Sequence, residues 1–158
     1  MNRKVTTGEY RSLAELRYRI RSFLRDGDTV ARSAGLEPQQ CFMMLAIRGL
    51  PMGEQPTIRN LAERVSLKHQ STVELIDRLE EHGYVRRSRA SDDRRQVLIT
   101  LLPAGERMLE KVVRQRLGEL RSTGDHLVQA VFGLLKNARR QSTQRKNSLR
   151  RKAHGPHA

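Results

Sequence analysis

The sequence predicts a mainly α-helical fold that contains one two-stranded β-hairpin. Apolar residues recur at helical spacing over most of residues 11–135. The period changes at 84–87 and 96–101, where two short β-prone runs flank a polar connection. Two predicted helices, separated by the three residues 66–68, come directly before this hairpin. Short-linked helices followed by a hairpin are typical of a winged helix-turn-helix, in which the hairpin forms the wing.

Composition restricts the classes of function. The 158 residues suit one domain, and the formal net charge of +14 favours a polyanionic partner, nucleic acid before an anionic membrane. Aromatic residues make up 4% and Trp is absent, which disfavours a base-stacking platform for single strands. The single Cys41 excludes a disulfide framework and a multi-cysteine zinc site. The sequence has no apolar run of membrane-spanning length and no hydrophobic leader, so we expect a cytoplasmic protein without membrane contact.

The first two helices frame the start of the domain. Residues 1–10 are polar and predict a mobile arm, and Leu13, Leu16 and Ile20 begin a helical stripe that Gly35 and Pro38 end. The second helix, Gln39 to about Arg48, is apolar on nearly all sides, which predicts a buried central helix.

The third and fourth helices form the predicted helix-turn-helix. Thr57 can cap the third helix, and Thr72, Ile76 and Leu79 give the fourth helix, 69–82, an inner side. Gly83 is placed to end it in a left-handed conformation. The opposite side and the N-terminal end of the fourth helix are candidates for contacts with base edges and phosphates: Lys68, His69, Gln70, Ser71, Glu74 and Arg78. The alternative is a packed helical pair whose outer face is only solvated.

The predicted wing is strongly cationic. A narrow minor groove concentrates negative potential and favours an inserted Arg. The alternative is a charged turn that only confers solubility. Asp92 is included among the candidates because a carboxylate can orient an Arg through a forked pair of hydrogen bonds. The candidate DNA-binding residues here are Arg86, Arg87, Arg89, Asp92, Arg94 and Arg95.

The C-terminal part of the sequence predicts two further helices and a tail. Pro103 opens the fifth helix, Gly124 interrupts it, and Asp125 can cap a sixth. From Lys136 onward there are eight Lys or Arg and no acidic residue, so we expect a disordered basic tail at 139–158.

A family resemblance covers about fifty contiguous residues of this region. The segments that carry it are Leu61-Ala62-Glu63-Arg64, then Thr72-Val73 and Ile76-Asp77-Arg78-Leu79-Glu80, then Gly83, Asp92-x-Arg94, Val97-Leu98-Ile99-Thr100 and Gly105. In this order they closely resemble the core of MarR-type winged-helix regulators. Glu74 departs from the family pattern, in which an Arg or a small polar residue is frequent on this helix.

The resemblance implies an organisation and an activity. It implies a homodimer with interlocking terminal helices, a recognition helix at 69–82, and a wing whose Arg94 enters the minor groove with support from Asp92. It also implies operator binding that represses nearby genes and is relieved by a small-molecule or redox signal. The organisation is a mobile arm (1–10), one domain (11–138) with dimerisation helices (11–35 and 103–138) around a winged-helix lobe (36–102), and the tail (139–158).

The nature of the effector is an expectation drawn from the shape of such dimers. A cleft between the dimerisation helices and the winged-helix lobe would be lined here by Arg17, Arg21 and Met44, which suits an aromatic carboxylate. The alternative is that Arg17 and Arg21 are solvated or paired with Glu15 or Asp26. Cys41 lies in the second helix, and we expect it to be a buried structural residue rather than a redox switch.

Other functions have weaker support in the sequence. The five histidines do not show metal-ligand spacing, so we expect neither a metal nor another cofactor. Neither a phosphate-loop fingerprint nor a nucleophile with a nearby base is present, so we expect no enzyme. The alternative to a sequence-specific regulator of double-stranded DNA is a non-specific architectural or RNA-binding basic protein, in which the tail dominates binding.

Overall fold

The computed structural model describes residues 4–89 and 96–153 and divides into two compact units, Met1–Arg25 with Glu119–Ala158, and Asp26–Gly118. We call these the terminal unit and the central unit. The elements in chain order are α1 (Thr7–Ser33), α2 (Pro38–Arg48), α3 (Ile58–Val65), α4 (His69–Glu81), β1 (Val85–Arg89), β2 (Val97–Leu101) and α5 (Pro103–Ala153). No helix within the described ranges is both long and apolar enough to cross a membrane.

Local capping explains where the short helices begin. Pro38 occupies the first turn of α2, and the Gln40 side chain accepts a hydrogen bond from the Glu37 amide at 3.2 Å. Thr57 Oγ1 accepts from the Asn60 amide at 3.2 Å and caps α3, as predicted. Ser66, with φ of 55°, ends α3 in the left-handed region.

The core of the central unit lies between α2, α3, α4 and the hairpin. The largest fully buried side chains include Met43, Leu61, Ile76 and Ile99. The predicted buried central helix α2 is buried along one side, through Met43, Met44 and Ile47, whereas Phe42 and Leu45 remain 50% and 45% exposed. An 11-residue helix with apolar residues at consecutive positions necessarily turns some of them away from a core on one side.

The hairpin closes directly after α4. Gly83 has a φ of +69°, as predicted, and reverses the chain into β1. The strands pair in antiparallel register from Val85 opposite Leu101 to Arg89 opposite Val97. A bridge between Thr57 and Leu98 attaches β2 to the start of α3. The hairpin is therefore tied to both helices of the helix-turn-helix.

The terminal helices differ from prediction. α1 begins at Thr7, inside the predicted mobile arm. α5 is continuous from Pro103 to Ala153, so the predicted interruption at Gly124 is wrong. One glycine costs a helix only about 1 kcal/mol, which the strong helix formers one turn away on either side, Leu120, Arg121 and Leu127, offset. The predicted disorder of the basic tail at 139–158 stays a prediction, and 154–158 lie outside the described residues.

Candidate nucleic-acid interface

α4 has one buried side and one exposed side. Thr72, Leu75, Ile76 and Leu79 are buried against the core, and Thr72 Oγ1 also donates to the Lys68 carbonyl at 3.1 Å. This packing fixes the rotation of α4 about its axis. The predicted contact residues are all exposed on and around the opposite side: Lys68, His69, Gln70, Ser71, Glu74 and Arg78.

The N-terminal end of α4 is suited to an anion. Within the described part of the chain, Lys68 at the N-cap position makes no capping hydrogen bond through its side chain. The first amides of a helix have no partner inside the helix and carry a partial positive charge. A phosphate oxygen could therefore accept from these amides, with Lys68 beside it.

Glu74 introduces a negative charge into this face. Its Oε1 accepts a hydrogen bond from Gln70 Nε2 at 3.3 Å, one helical turn earlier. Carboxylate and amide groups read base edges in the major groove, where Glu accepts from the amino group of cytosine. Glu74 is thus suited to base recognition and unsuited to contact with phosphate.

Arg87 holds the wing strand β1 against α4. Its Nη2 donates to Asp77 Oδ1 at 2.5 Å, its Nη1 to Glu80 Oε2, and its backbone amide to Glu80 Oε1 at 2.9 Å. Burial opposes the charged form, but the hydrogen bonds to the two carboxylates outweigh it, so the pKa of the Arg87 guanidinium is raised. We call Arg87, Asp77 and Glu80 the clamp.

The clamp gives Arg87 a structural role beside the predicted one. The sequence predicts Arg87 among the cations that contact DNA, and in the structure two carboxylates of α4 bind its guanidinium, which is 26% exposed. The contact of Arg87 with DNA stays a prediction. Asp77 and Glu80 were missed as functional residues. They lie one turn apart on α4, and only the reversal of the chain at Gly83 brings β1 beside them.

The remaining predicted DNA-binding residues of the wing fall into two groups. Arg86 and Arg89 are exposed on β1, as a contact with a duplex requires. Asp92, Arg94 and Arg95 lie outside the described residues, so their predicted contact with the minor groove stays a prediction.

The three predicted effector residues belong to different units, Arg17 and Arg21 to the terminal unit and Met44 to the central unit. Met44 is fully buried in the core of the central unit and has no surface for a ligand, while Arg17 and Arg21 are exposed on α1. The structure has a cavity of about 390 Å³ in the terminal unit, next to Arg19 and His126, and one of about 360 Å³ in the central unit, next to Arg48 and Leu109. None of the three predicted residues lines either of these two cavities.

Cys41 is half-buried on α2. Burial raises the pKa of its thiol, and the negative charge of Asp28 raises it further. Because the thiolate is the reactive form, these surroundings reduce the reactivity of Cys41. The expectation of a buried Cys41 is met only in part, and its structural role stays a prediction.

Comparison with protein-family models matches residues 52–97 to the MarR family. This range contains α3, α4 and β1 together with the clamp. Residues 52–97 are thus similar to the MarR family model over the helix-turn-helix and the first strand of the wing. The exposed face of α4 and the wing strand held to that helix both lie within the matched range.

Individual relatives agree with this assignment. YsmB of Bacillus subtilis, an HTH-type transcriptional regulator, is 40% identical over 65 residues, which cover 41% of this chain and 44% of YsmB. The chain thus spans less than half the length of this curated relative in the alignment. The crystal structure of AbsC, a MarR family transcriptional regulator from Streptomyces coelicolor, is similar with a TM-score of 0.67 at 17% identity, over 93% of this chain and 99% of AbsC. Both relatives are described as transcriptional regulators.

One further solved structure contains nucleic acid. A variant of MepR from S. aureus, bound to an oligodeoxyribonucleotide, is similar with a TM-score of 0.54 at 14% identity, over 96% of this chain and 100% of MepR. Likeness at this identity concerns the fold. The fold of this chain is thus one that, in MepR, is seen together with DNA.

Proposed function

We propose that this chain is a DNA-binding transcriptional regulator that acts as a homodimer on a near-palindromic operator. The observation that carries the proposal is the exposed polar face of α4, whose rotation is set by its buried side and whose position relative to β1 is set by the clamp. The MarR-family match of this region and the oligodeoxyribonucleotide in the MepR structure support it.

The fit to a duplex follows from dimensions. The major groove of B-DNA is about 12 Å wide and admits an α-helix with its side chains, and a hairpin beside that helix reaches an adjacent minor groove. In this assignment α4 reads bases through Gln70, Ser71 and Glu74. Lys68 and Arg78 contact the backbone, and Arg94 enters the minor groove with Asp92 beside it.

The homodimer is supported by exposed apolar side chains in the terminal unit. Tyr10, Leu13 and Leu24 of α1 are 64%, 50% and 57% exposed, and Val128 and Phe132 of α5 are 50% and 66% exposed. Exposed apolar surface of this kind on the terminal helices is typical of a protein–protein contact. A second copy of the chain would cover it.

A dimer determines the form of the operator and of its regulation. Two copies of α4 related by a two-fold axis match half-sites about 10 base pairs apart, which requires a near-palindromic operator. A ligand can release the operator only by preferring a dimer in which this separation no longer fits. We assign the chain to repressors that are relieved in this way, with an aromatic carboxylate near Arg17 and Arg21 as the proposed ligand.

The test is selection of genomic fragments by the purified protein, followed by titration of the retained sequence at constant salt. Arg78→Ala and Arg94→Ala should each weaken operator binding by about 1–3 kcal/mol. Arg107→Ala, on α5 outside the helix-turn-helix and the hairpin, removes the same charge and should have little effect. Unchanged affinity in both interface variants would reject the proposed interface.

The second candidate function is a non-specific architectural or RNA-binding protein, which the net charge of +14 favours. The two are separated by competition with random duplex. A regulator keeps an advantage of at least about 10³ for its operator. A protein that binds only through charge shows no such preference, and random duplex or RNA then competes equally well.

A further inference from the structure

The helix α4 is acidic, although the chain as a whole is strongly basic. Its 13 residues contain four acidic side chains and one Arg, whereas the formal net charge of the chain is +14. Carboxylates oppose the approach of phosphates, so their presence on a helix that faces DNA requires a reason. Two of the four, Asp77 and Glu80, are paired with Arg87 in the clamp. Glu74 is exposed, and packing does not account for it.

Glu74 lies near the middle of the exposed side of α4. It is two positions from each of the buried residues Thr72 and Ile76, and therefore about 160° from both around the helix. It also lies in the first two turns of α4, and the N-terminal residues of a recognition helix are those that contact base edges. Glu81 is exposed too, but it is the last residue of α4 and lies outside that part.

A neighbouring amide occupies one oxygen of the Glu74 carboxylate. Gln70 Nε2 donates to Glu74 Oε1 at 3.3 Å from one turn earlier. Among the residues that the structure describes, no group donates a hydrogen bond to Glu74 Oε2. This oxygen is therefore an acceptor that a base edge can satisfy.

The chemistry of a carboxylate restricts the base that it can face. An ionised carboxylate only accepts hydrogen bonds. In the major groove cytosine presents an amino donor, adenine presents an amino donor next to the N7 acceptor, and guanine and thymine present only acceptors. An acceptor opposite the carboxylate repels it, and phosphates at the edges of the groove repel it as well. Cytosine is thus the base that satisfies a carboxylate without placing an acceptor beside it.

We infer that Glu74 determines specificity by selecting cytosine at one position of each operator half-site. This inference rests on the proposed function and adds the identity of one base to it. Gln70 and Ser71 do not impose such a restriction, because an amide and a hydroxyl can both donate and accept. A wrong base opposite Glu74 weakens binding in two ways, since a hydrogen bond is lost and a buried charge is left without a donor.

Two variants with the same change in charge test the role of Glu74. Glu74→Gln and Glu81→Gln each remove one exposed carboxylate from α4. The operator is selected from a random duplex library with each full-length protein, and affinities are then measured for all four base pairs at each position of the half-site. The unsubstituted protein should prefer cytosine at one position by about tenfold or more. Glu74→Gln should move this preference to adenine, whose N6 and N7 match a side-chain amide, and Glu81→Gln should keep cytosine.

The outcomes separate this inference from the proposed function. Base preferences that are unchanged in Glu74→Gln would overturn the inference, and so would a base other than cytosine at the position that responds to this substitution. The same change of preference in Glu81→Gln would show that the charge of α4, rather than the position of Glu74, selects the base. If the unsubstituted protein enriches no sequence at all, the proposed function itself is rejected and the inference is rejected with it.

Discussion

Gly105 lies where the backbone leaves no room for a side chain. A Cβ at this position would approach the Tyr84 carbonyl oxygen to 2.3 Å. The same oxygen accepts a hydrogen bond from the Leu102 amide at 2.8 Å. Gly105 therefore permits the start of α5 to pack on the residue that leads into β1.

We predict that Gly105→Ala destabilises the fold by about 2 kcal/mol, because the added methyl group must displace backbone atoms. Thermal unfolding measures this loss. Gly118→Ala is the control, since a Cβ there meets no described atom within 4 Å and alanine is favoured over glycine in a helix. Equal melting temperatures for the Gly105 variant and the unsubstituted protein would contradict the packing described for Tyr84.

A glycine that is required by a tertiary contact is difficult to recognise from sequence. Gly83 was predicted correctly because a glycine after a helical stripe is a local signal for a left-handed end. Gly105 was noted only as part of the family resemblance, since its requirement comes from Tyr84, which precedes it by a whole hairpin. A close approach between distant segments leaves no mark in the local pattern.

At the scale of elements, the clamp makes α4 and β1 one structural unit. Arg87 reaches from β1 to Asp77 and Glu80 on α4, while Arg86, the adjacent residue, points to the other face of the strand and is exposed. The two adjacent arginines thus differ in role, because Arg87 positions β1 against α4 and Arg86 is available to DNA.

We predict that Arg87→Gln lowers both stability, by about 1 kcal/mol, and operator affinity, by about tenfold, because β1 loses its attachment to α4. Arg86→Gln should lower affinity alone. Addition of Asp77→Asn to Arg87→Gln should cost less than the sum of the two single changes, because the residues share one interaction. Chemical denaturation of the single and double variants measures the free energy of unfolding, and duplex titration measures the operator affinity. Strictly additive losses would mean that the clamp does not couple the wing to the helix.

Element boundaries were predictable where capping signals were strong. The cap at Thr57 and the linker 66–68 located α3 and α4 correctly, because these signals act within one helical turn. The division of α5 at Gly124 was wrong. A single glycine and a following Asp resemble a helix end, but the favourable propensity of the residues on both sides outweighs them.

At the scale of the whole molecule, the exposed apolar residues of the terminal unit predict self-association. Phe132→Asp should shift the protein from a dimer, about twice the 18.2 kDa of one chain, to a monomer in sedimentation measurements, because a charge cannot be buried unpaired in an apolar contact. Met52→Asp is the control, since Met52 is fully exposed in the loop before α3. A monomeric unsubstituted protein at micromolar concentration would reject the dimer, and with it the two-fold operator.

Local chemistry was sufficient for the helix-turn-helix, the hairpin and the exposed residues of α4. Apolar periodicity and caps act over a few residues, so they can be read directly along the chain. The role of Arg87, the burial of Met44 and the requirement for Gly105 were decided by tertiary contacts. Each of these depends on groups that are distant along the chain and meet only when the helices and the hairpin pack together. The identity of a residue does not by itself indicate which distant group it will contact.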